Sequence, residues 1–135
     1  MRAISKLDKN LCEKTPAFET SVIIEMNSTV GDLSKHILSS ENLSFMGNEY
    51  GVNSLLGTAV GDDAIEIISD ERMRIYGWCY EVNGKQPNML TSDYILNPEI
   101  DYEIVWFYAY AELIRDKWIS YCTPVYKSPT PFICK

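Results

Sequence analysis

The chain has 135 residues, of which 46 % are apolar and 12 % aromatic. That is enough for one domain with a core of its own, and it excludes a disordered chain. The formal net charge of −7 repels phosphate backbones and anionic membranes, so electrostatic nucleic-acid binding is excluded, and no apolar run reaches the roughly 18 residues of a membrane span.

Residues 1–17 carry Arg2, Lys6, Asp8, Lys9, Glu13 and Lys14. They lack the apolar stretch of a secretion leader, and are expected to form a loosely held arm ending near Pro16. The chain suits an extracytoplasmic site if a leader has been removed, and the cytoplasm otherwise. Phe18 to Met26 is rich in β-branched residues and bounded by Asn27-Ser28, which predicts a strand. Thr29 and Asp32 have the spacing of a capping box, and Val30, Leu33, Ile37 and Leu38 recur at helical spacing. A short helix over about 30–40 is therefore expected.

The stretch 41–61 holds Gly47, Asn48, Gly51, Asn53, Gly57 and Gly61, a density that predicts turns and short pieces. Leu55-Leu56 with Ala59-Val60, and the isoleucines Ile65, Ile67 and Ile68, mark brief strands. Arg72 to Val82 is the strongest strand, because Tyr76, Trp78, Tyr80 and Val82 alternate with smaller or polar residues. It ends in Asn83-Gly84, two residues that tolerate the positive φ of a tight hairpin turn. Gln86-Pro87-Asn88 and Asn97-Pro98 predict loops. Asp101 to Glu112 has little alternation and many aromatics, as a strand buried on both faces, or a central one, would have. Leu113 to Cys122 extends it or adds a further strand. Pro124, Pro129 and Pro131 make the end of the chain an extended tail.

One short helix against a mixed sheet is an α+β layer, and the β-grasp is the simplest small architecture with this order. The division expected is an arm over 1–17, a β-grasp-like domain over 18–122 and a tail over 123–135.

Four cysteines, Cys12, Cys79, Cys122 and Cys134, show no Cys-x-x-Cys spacing, and His36 is the one histidine. A metal set is therefore not expected. Buried inert thiols and one or two disulfides both fit. Cys79 and Cys122 can bridge if their strands are neighbours, since a bridge needs Cα atoms within about 7 Å. Cys134 is the other candidate. Asp62-Asp63 and Asp70-Glu71 lack the alternating oxygens of a calcium loop and read as solvated turns.

Gly77-Trp78-Cys79-Tyr80-Glu81-Val82-Asn83-Gly84 resembles the Gly-Trp-x-Tyr-x-Val-Asn-Gly signature of the transcobalamin-like C-terminal family of β-grasp domains. Ser92-Asp93-Tyr94-x-Leu96 and Asp101-x-x-Ile104-x-Trp106-x-Tyr108 continue the resemblance. Thr29-Val30-x-Asp32-Leu33 and Leu55-Leu56-Gly57 resemble the family's helix start and middle element. The resemblance covers about residues 18–112. The chain departs from it at Glu99-Ile100-Asp101, where the family has Gly-Asp, and runs on past it to Lys135. It implies a β-grasp fold and a module that, in transcobalamin-like proteins, covers one side of a corrinoid held against a second domain. Many bacterial relatives are short cell-surface or secreted modules. A lone half of such a clamp leaves most of a ligand wet and is expected to bind it weakly.

Trp78, Tyr80, Trp106 and Tyr108 are expected to fill the core and pair across the sheet. Tyr76, Tyr94 and Tyr110 are candidates for an open aromatic face. Lys85, Gln86 and Asn88 are candidates in the polar loop after the hairpin. His36 cannot be tied by spacing to a nucleophile, and no phosphate loop, serine elbow or zinc helix is present. The expectation is a non-catalytic module without cofactor or metal. It would recognise a small molecule or protein segment through a sheet face or the 85–95 loop. The alternative is an acidic interaction subunit or inhibitor that docks by a sheet edge.

Overall fold

The computed structural model describes residues 2–8, 16–48, 50–55, 57–128 and 130–132. Strands β1 (Arg2–Asp8), β2 (Pro16–Ile23) and β3 (Ser28–Thr29) precede the helix α1 (Val30–Ser40). Then come β4 (Phe45–Asn48), β5 (Gly51–Leu55), β6 (Ile65–Ser69), β7 (Arg72–Val82), β8 (Ile95–Leu96), β9 (Tyr102–Ile114) and β10 (Lys117–Pro124). The class is mixed α+β, with α1 the one α-helix among the described residues. The main sheet has the order β2-β1-β9-β7-β6, and β10 also pairs with β9. β3 with β8, and β4 with β5, form two small ladders.

The β7–β9 ladder is the centre of the sheet. Its antiparallel register runs unbroken from Arg72↔Ile114 to Val82↔Ile104. Period-two alternation therefore puts Tyr76, Trp78, Tyr80, Val82, Tyr110, Tyr108, Trp106 and Ile104 on one face. On that face the rings meet at centroid distances of 6.0 Å (Tyr76–Tyr108), 5.7 Å (Tyr76–Tyr110), 5.4 Å (Trp78–Tyr108) and 5.5 Å (Tyr80–Trp106). Such pairs contribute about 0.5–1.5 kcal/mol each beyond their buried area, more together than any single hydrogen bond in the molecule. Gly77, Cys79, Phe107, Ala109 and Ala111 fall on the second face. Phe107 and Ala109 are buried there too, so β9 is covered on both faces as its composition requires.

Helix α1 covers the aromatic face. Val30, Ser34, Ile37 and Leu38 form its buried side. The Thr29 hydroxyl accepts from the Asp32 backbone N–H at 3.1 Å, closing the first turn. Asn42, in the left-handed region at φ 57°, ends the helix, and the Leu43 N–H returns to the Leu38 carbonyl at 3.0 Å. The Trp106 indole N–H donates to the Ser34 hydroxyl at 3.0 Å in a buried contact, tying the helix to the central strand.

Two turns reverse the chain with left-handed residues at both central positions. Asn83 and Gly84 have φ of 52° and 80°. The Val82 and Lys85 backbones exchange hydrogen bonds across them, and the Asn83 side chain accepts from the Glu103 N–H at 2.8 Å. The second turn, Arg115-Asp116, has φ of 50° and 64° and joins β9 to β10. Leu113 to Cys122 thus both extends β9 and supplies a further strand.

Three expectations change. Arg2–Asp8 is not an arm: β1 lies inside the sheet, antiparallel to β2 and parallel to β9 from Ala3↔Tyr102 to Leu7↔Trp106. Ala59-Val60 is not strand; the brief strand there is β5. The tail is not merely extended either. Val125 is fully buried, with its N–H on the Tyr108 carbonyl at 3.0 Å. Buried Thr130 bonds the Tyr76 hydroxyl at 2.6 Å, and Phe132 stacks on the Tyr76 ring at 5.1 Å.

The Tyr76 hydroxyl also donates to Glu66 at 2.8 Å. Glu66 meets Arg74, and Glu112 meets Arg72 and Arg74, so the charges buried at this end of the aromatic face are paired. Burial, the largest cause, pushes the Tyr76 hydroxyl up to about 12. Tyr80 is likewise pushed up to about 12 by burial and the nearby Tyr94 and Asp93.

Two outcomes follow from this packing. Ser34→Ala leaves the Trp106 indole N–H buried without an acceptor and is expected to lower stability by about 1–3 kcal/mol in urea unfolding. The raised tyrosines bind their protons more tightly folded than unfolded. Their contribution is complete below pH 10 and is lost as pH rises from about 10 to 12. Thermal melts across that range should fall in Tm, and Tyr76→Phe should flatten the fall.

Candidate functional site

A cleft opens where the β5 turn, the 86–91 loop and the lower end of β7 meet. Its volume is about 260 Å³. Trp78, Tyr80 and Trp106 line it from the sheet, Tyr50 and Val52 from the β5 side, and Pro87, Met89 and Leu90 from the loop. The sheet residues are fixed by the ladder register. Tyr50, Met89 and Leu90 are 57 %, 48 % and 55 % exposed. Large apolar side chains this open, facing one another across a concavity, mark a surface that excludes water when something sits on it.

The cleft's polar groups are largely turned away from it. The Trp78 indole N–H donates to the Thr58 hydroxyl at 2.8 Å, and the Trp106 indole is held by Ser34. The Tyr80 hydroxyl donates to the Met89 carbonyl at 2.9 Å. With these donors satisfied, the floor offers ring faces and edges. Asn53 and Gln86 are the side-chain amides among the lining residues. The arrangement suits stacking and apolar burial with a small number of orienting hydrogen bonds.

The loop is held from two sides. Tyr80 fastens it at Met89, and the Gln86 side-chain amide donates to the Cys122 carbonyl at 3.1 Å. Cys122 is itself disulfide-bonded to Cys79, with 5.8 Å between the Cα atoms. The bridge forms although the two strands are not neighbours: β9 separates β7 from β10. The register shifts between Ser120 and Thr123 and the left-handed Cys122 (φ 48°) open a bulge there. The bulge carries Cys122 towards Cys79 across the small residues of the second face.

The candidates named from sequence separate into groups. Gln86 lines the cleft, and Lys85 and Asn88 are exposed in the same loop. Tyr94 is half-buried against the core, its carbonyl accepting from the Val30 N–H at 2.9 Å. Tyr76 and Tyr110 are buried in the core and present no open ring. Cys134 lies outside the described residues. His36 is exposed on α1. Among the described residues no group of three or more His, Cys, Asp or Glu side chains comes together to hold a metal. Among them no helix is long and apolar enough to cross a membrane.

Tyr50, Met89 and Leu90 were not singled out from sequence. The available signal was local: an aromatic beside Gly51 in a turn-rich stretch, and an apolar pair in a loop otherwise polar.

No family model and no curated protein matches the chain. Among solved structures it is similar to a proposed metal-binding protein from Ruminococcus gnavus. The identity is 14 %, over 78 % of this chain and 92 % of that one, with a TM-score of 0.39. A likeness of that size assigns this chain neither a fold family nor a metal.

The disulfide closes a sequence separation of 43 residues. By chain entropy such a link is worth about 4 kcal/mol. Reduction, or Cys122→Ala, should lower stability by about 2–4 kcal/mol in denaturant unfolding and raise amide exchange across residues 86–90, which lose their anchor.

Proposed function

We propose that the chain is a non-catalytic binding module of the β-grasp type, akin to transcobalamin-like C-terminal domains, and that the 50–53 and 86–91 cleft is its recognition site. Three features support the β-grasp reading. β1 and β2 pair antiparallel, β1 runs parallel to the long strand β9 beside it, and α1 packs on the aromatic face. The Gly77 to Gly84 signature lies on β7 and its turn, at the edge of the cleft.

The observation that carries the binding reading is the open apolar rim of Tyr50, Met89 and Leu90 above rings whose donors are already bonded. The volume decides what enters. Pockets that enclose whole ligands run to about 300–1,000 Å³. This one is smaller, so it takes an apolar part of a ligand or one or two side chains of a partner segment. That agrees with a half-clamp whose ligand is completed by another surface.

The test is a set of ¹H–¹⁵N spectra titrated with hydroxocobalamin and, separately, with short peptides rich in leucine and tryptophan. Shifts are expected at Val52, Tyr80, Gln86, Met89 and Leu90 for at least one probe, and Tyr50→Ala with Leu90→Ser should weaken that binding about tenfold. Shifts that spare these residues, or none at millimolar probe, would contradict the reading.

A second reading, docking by a sheet edge, is supported by one observation. β6 ends the strand order of the sheet, and its Ile67 is 76 % exposed.

A further inference from the structure

The second face of the sheet carries a separate groove of about 680 Å³ at the end opposite the cleft. It is lined by Ile67, Met73 and Leu113 and bordered by Asp70, Glu71, Arg72, Arg115 and Asp116. The registers Ile67↔Met73 and Met73↔Leu113 put the three apolar side chains in one row across β6, β7 and β9. Trp118, opposite Leu113 on β10, continues the row and stacks on Tyr121 at 6.0 Å. The two hairpin tips at this end are clasped together. The Arg115 N–H donates to the Glu71 carbonyl at 2.8 Å, and its guanidinium meets the Glu71 carboxylate at 3.0 Å. The groove therefore has a fixed end wall.

The charges around it sort themselves by partner. Arg115 is engaged by Glu71, and Arg72 by Glu112. Asp70 and Asp116 have no ion-pair partner among the described residues and are exposed at the two tips. The unbalanced charge at the mouth of an apolar groove is thus negative, on a chain whose net charge is −7. A second copy would bring a like field to the same place and be repelled. A partner with positive charge beside apolar side chains is attracted.

We infer that this groove docks an extended segment of a partner protein, with apolar side chains in the Ile67–Met73–Leu113 row and a lysine or arginine opposite Asp70 and Asp116. Among the described residues β6 has no strand on its outer edge, so such a segment can add to the sheet there and send alternate side chains over the second face. The inference develops the edge-docking reading and does not depend on the cleft.

The experiment uses the whole chain with its disulfide intact and two fluorescent peptides, Lys-Val-Ile-Val-Lys and Glu-Val-Ile-Val-Glu, in polarisation titrations at low salt. The lysine peptide should bind about tenfold tighter than the glutamate peptide, as two screened charge pairs allow, and the preference should shrink with added salt. Asp70→Asn with Asp116→Asn should remove the preference. Ile67→Ser, at a position too exposed to affect folding, should weaken both peptides. The cleft variant, Tyr50→Ala with Leu90→Ser, should leave the result unchanged, which separates failure here from failure of the cleft reading. Equal affinity for the two peptides, no binding of either, or binding untouched by Ile67→Ser would overturn the inference. So would a concentration-dependent dimer that Ile67→Ser abolishes, which would make the occupant a second copy.

Discussion

The register of β7 against β9 is the constraint on which the rest of the molecule depends. Side chains alternate with a period of two, so a slip of one residue would turn every ring on one strand to the other face. The observed register sets Trp78 opposite Tyr108 and Tyr80 opposite Trp106. A one-residue slip would set Phe107 and Ala109 opposite them and turn the Trp106 indole away from Ser34. The register is pinned at one end by the Asn83-Gly84 turn with its bond to Glu103. At the other it is pinned by Arg72 and Arg74 on Glu112.

Each face then acquires its own chemistry. The aromatic face is too rich in rings to be left wet, and it is covered from two directions: α1 lies over Trp106, while Thr130 and Phe132 lie over Tyr76. The uncovered margin near β5 becomes the cleft. The second face has glycine and alanine in the middle, which lets the β10 bulge cross and Cys122 reach Cys79. Beyond the bulge that face stays open, and the apolar row ending at Ile67 follows. The two surfaces differ in what they offer: ring faces with satisfied donors in one, aliphatic side chains below free carboxylates in the other.

Much of this was legible in the residues. Alternation from Tyr76 to Val82 and the Asn-Gly pair gave β7 and its turn at their observed bounds. Thr29, Asp32 and the apolar spacing gave α1. The unalternating run of β9 correctly implied burial on both sides. What stayed hidden depends on parts of the chain far apart in sequence. The burial of Tyr76 and Tyr110 is decided by Thr130 and Phe132, far along the chain, and by cross-strand pairing of Arg74 with Glu66 and Glu112. Arg2–Asp8 carries three charges in seven residues, and it becomes a strand because β9 offers it a parallel edge. Arg115-Asp116 forms a turn without glycine, so no turn signal marks it. The cleft needed Tyr50 and Leu90 brought together from forty residues apart.

The most direct measurement is the set of cross-strand nuclear Overhauser contacts between β7 and β9. The account predicts contacts between the side chains of Trp78 and Tyr108, between Tyr80 and Trp106, and between Trp106 and Ser34. Contacts that pair Trp78 with Phe107 instead, or none between the two tryptophan-bearing strands, would contradict it.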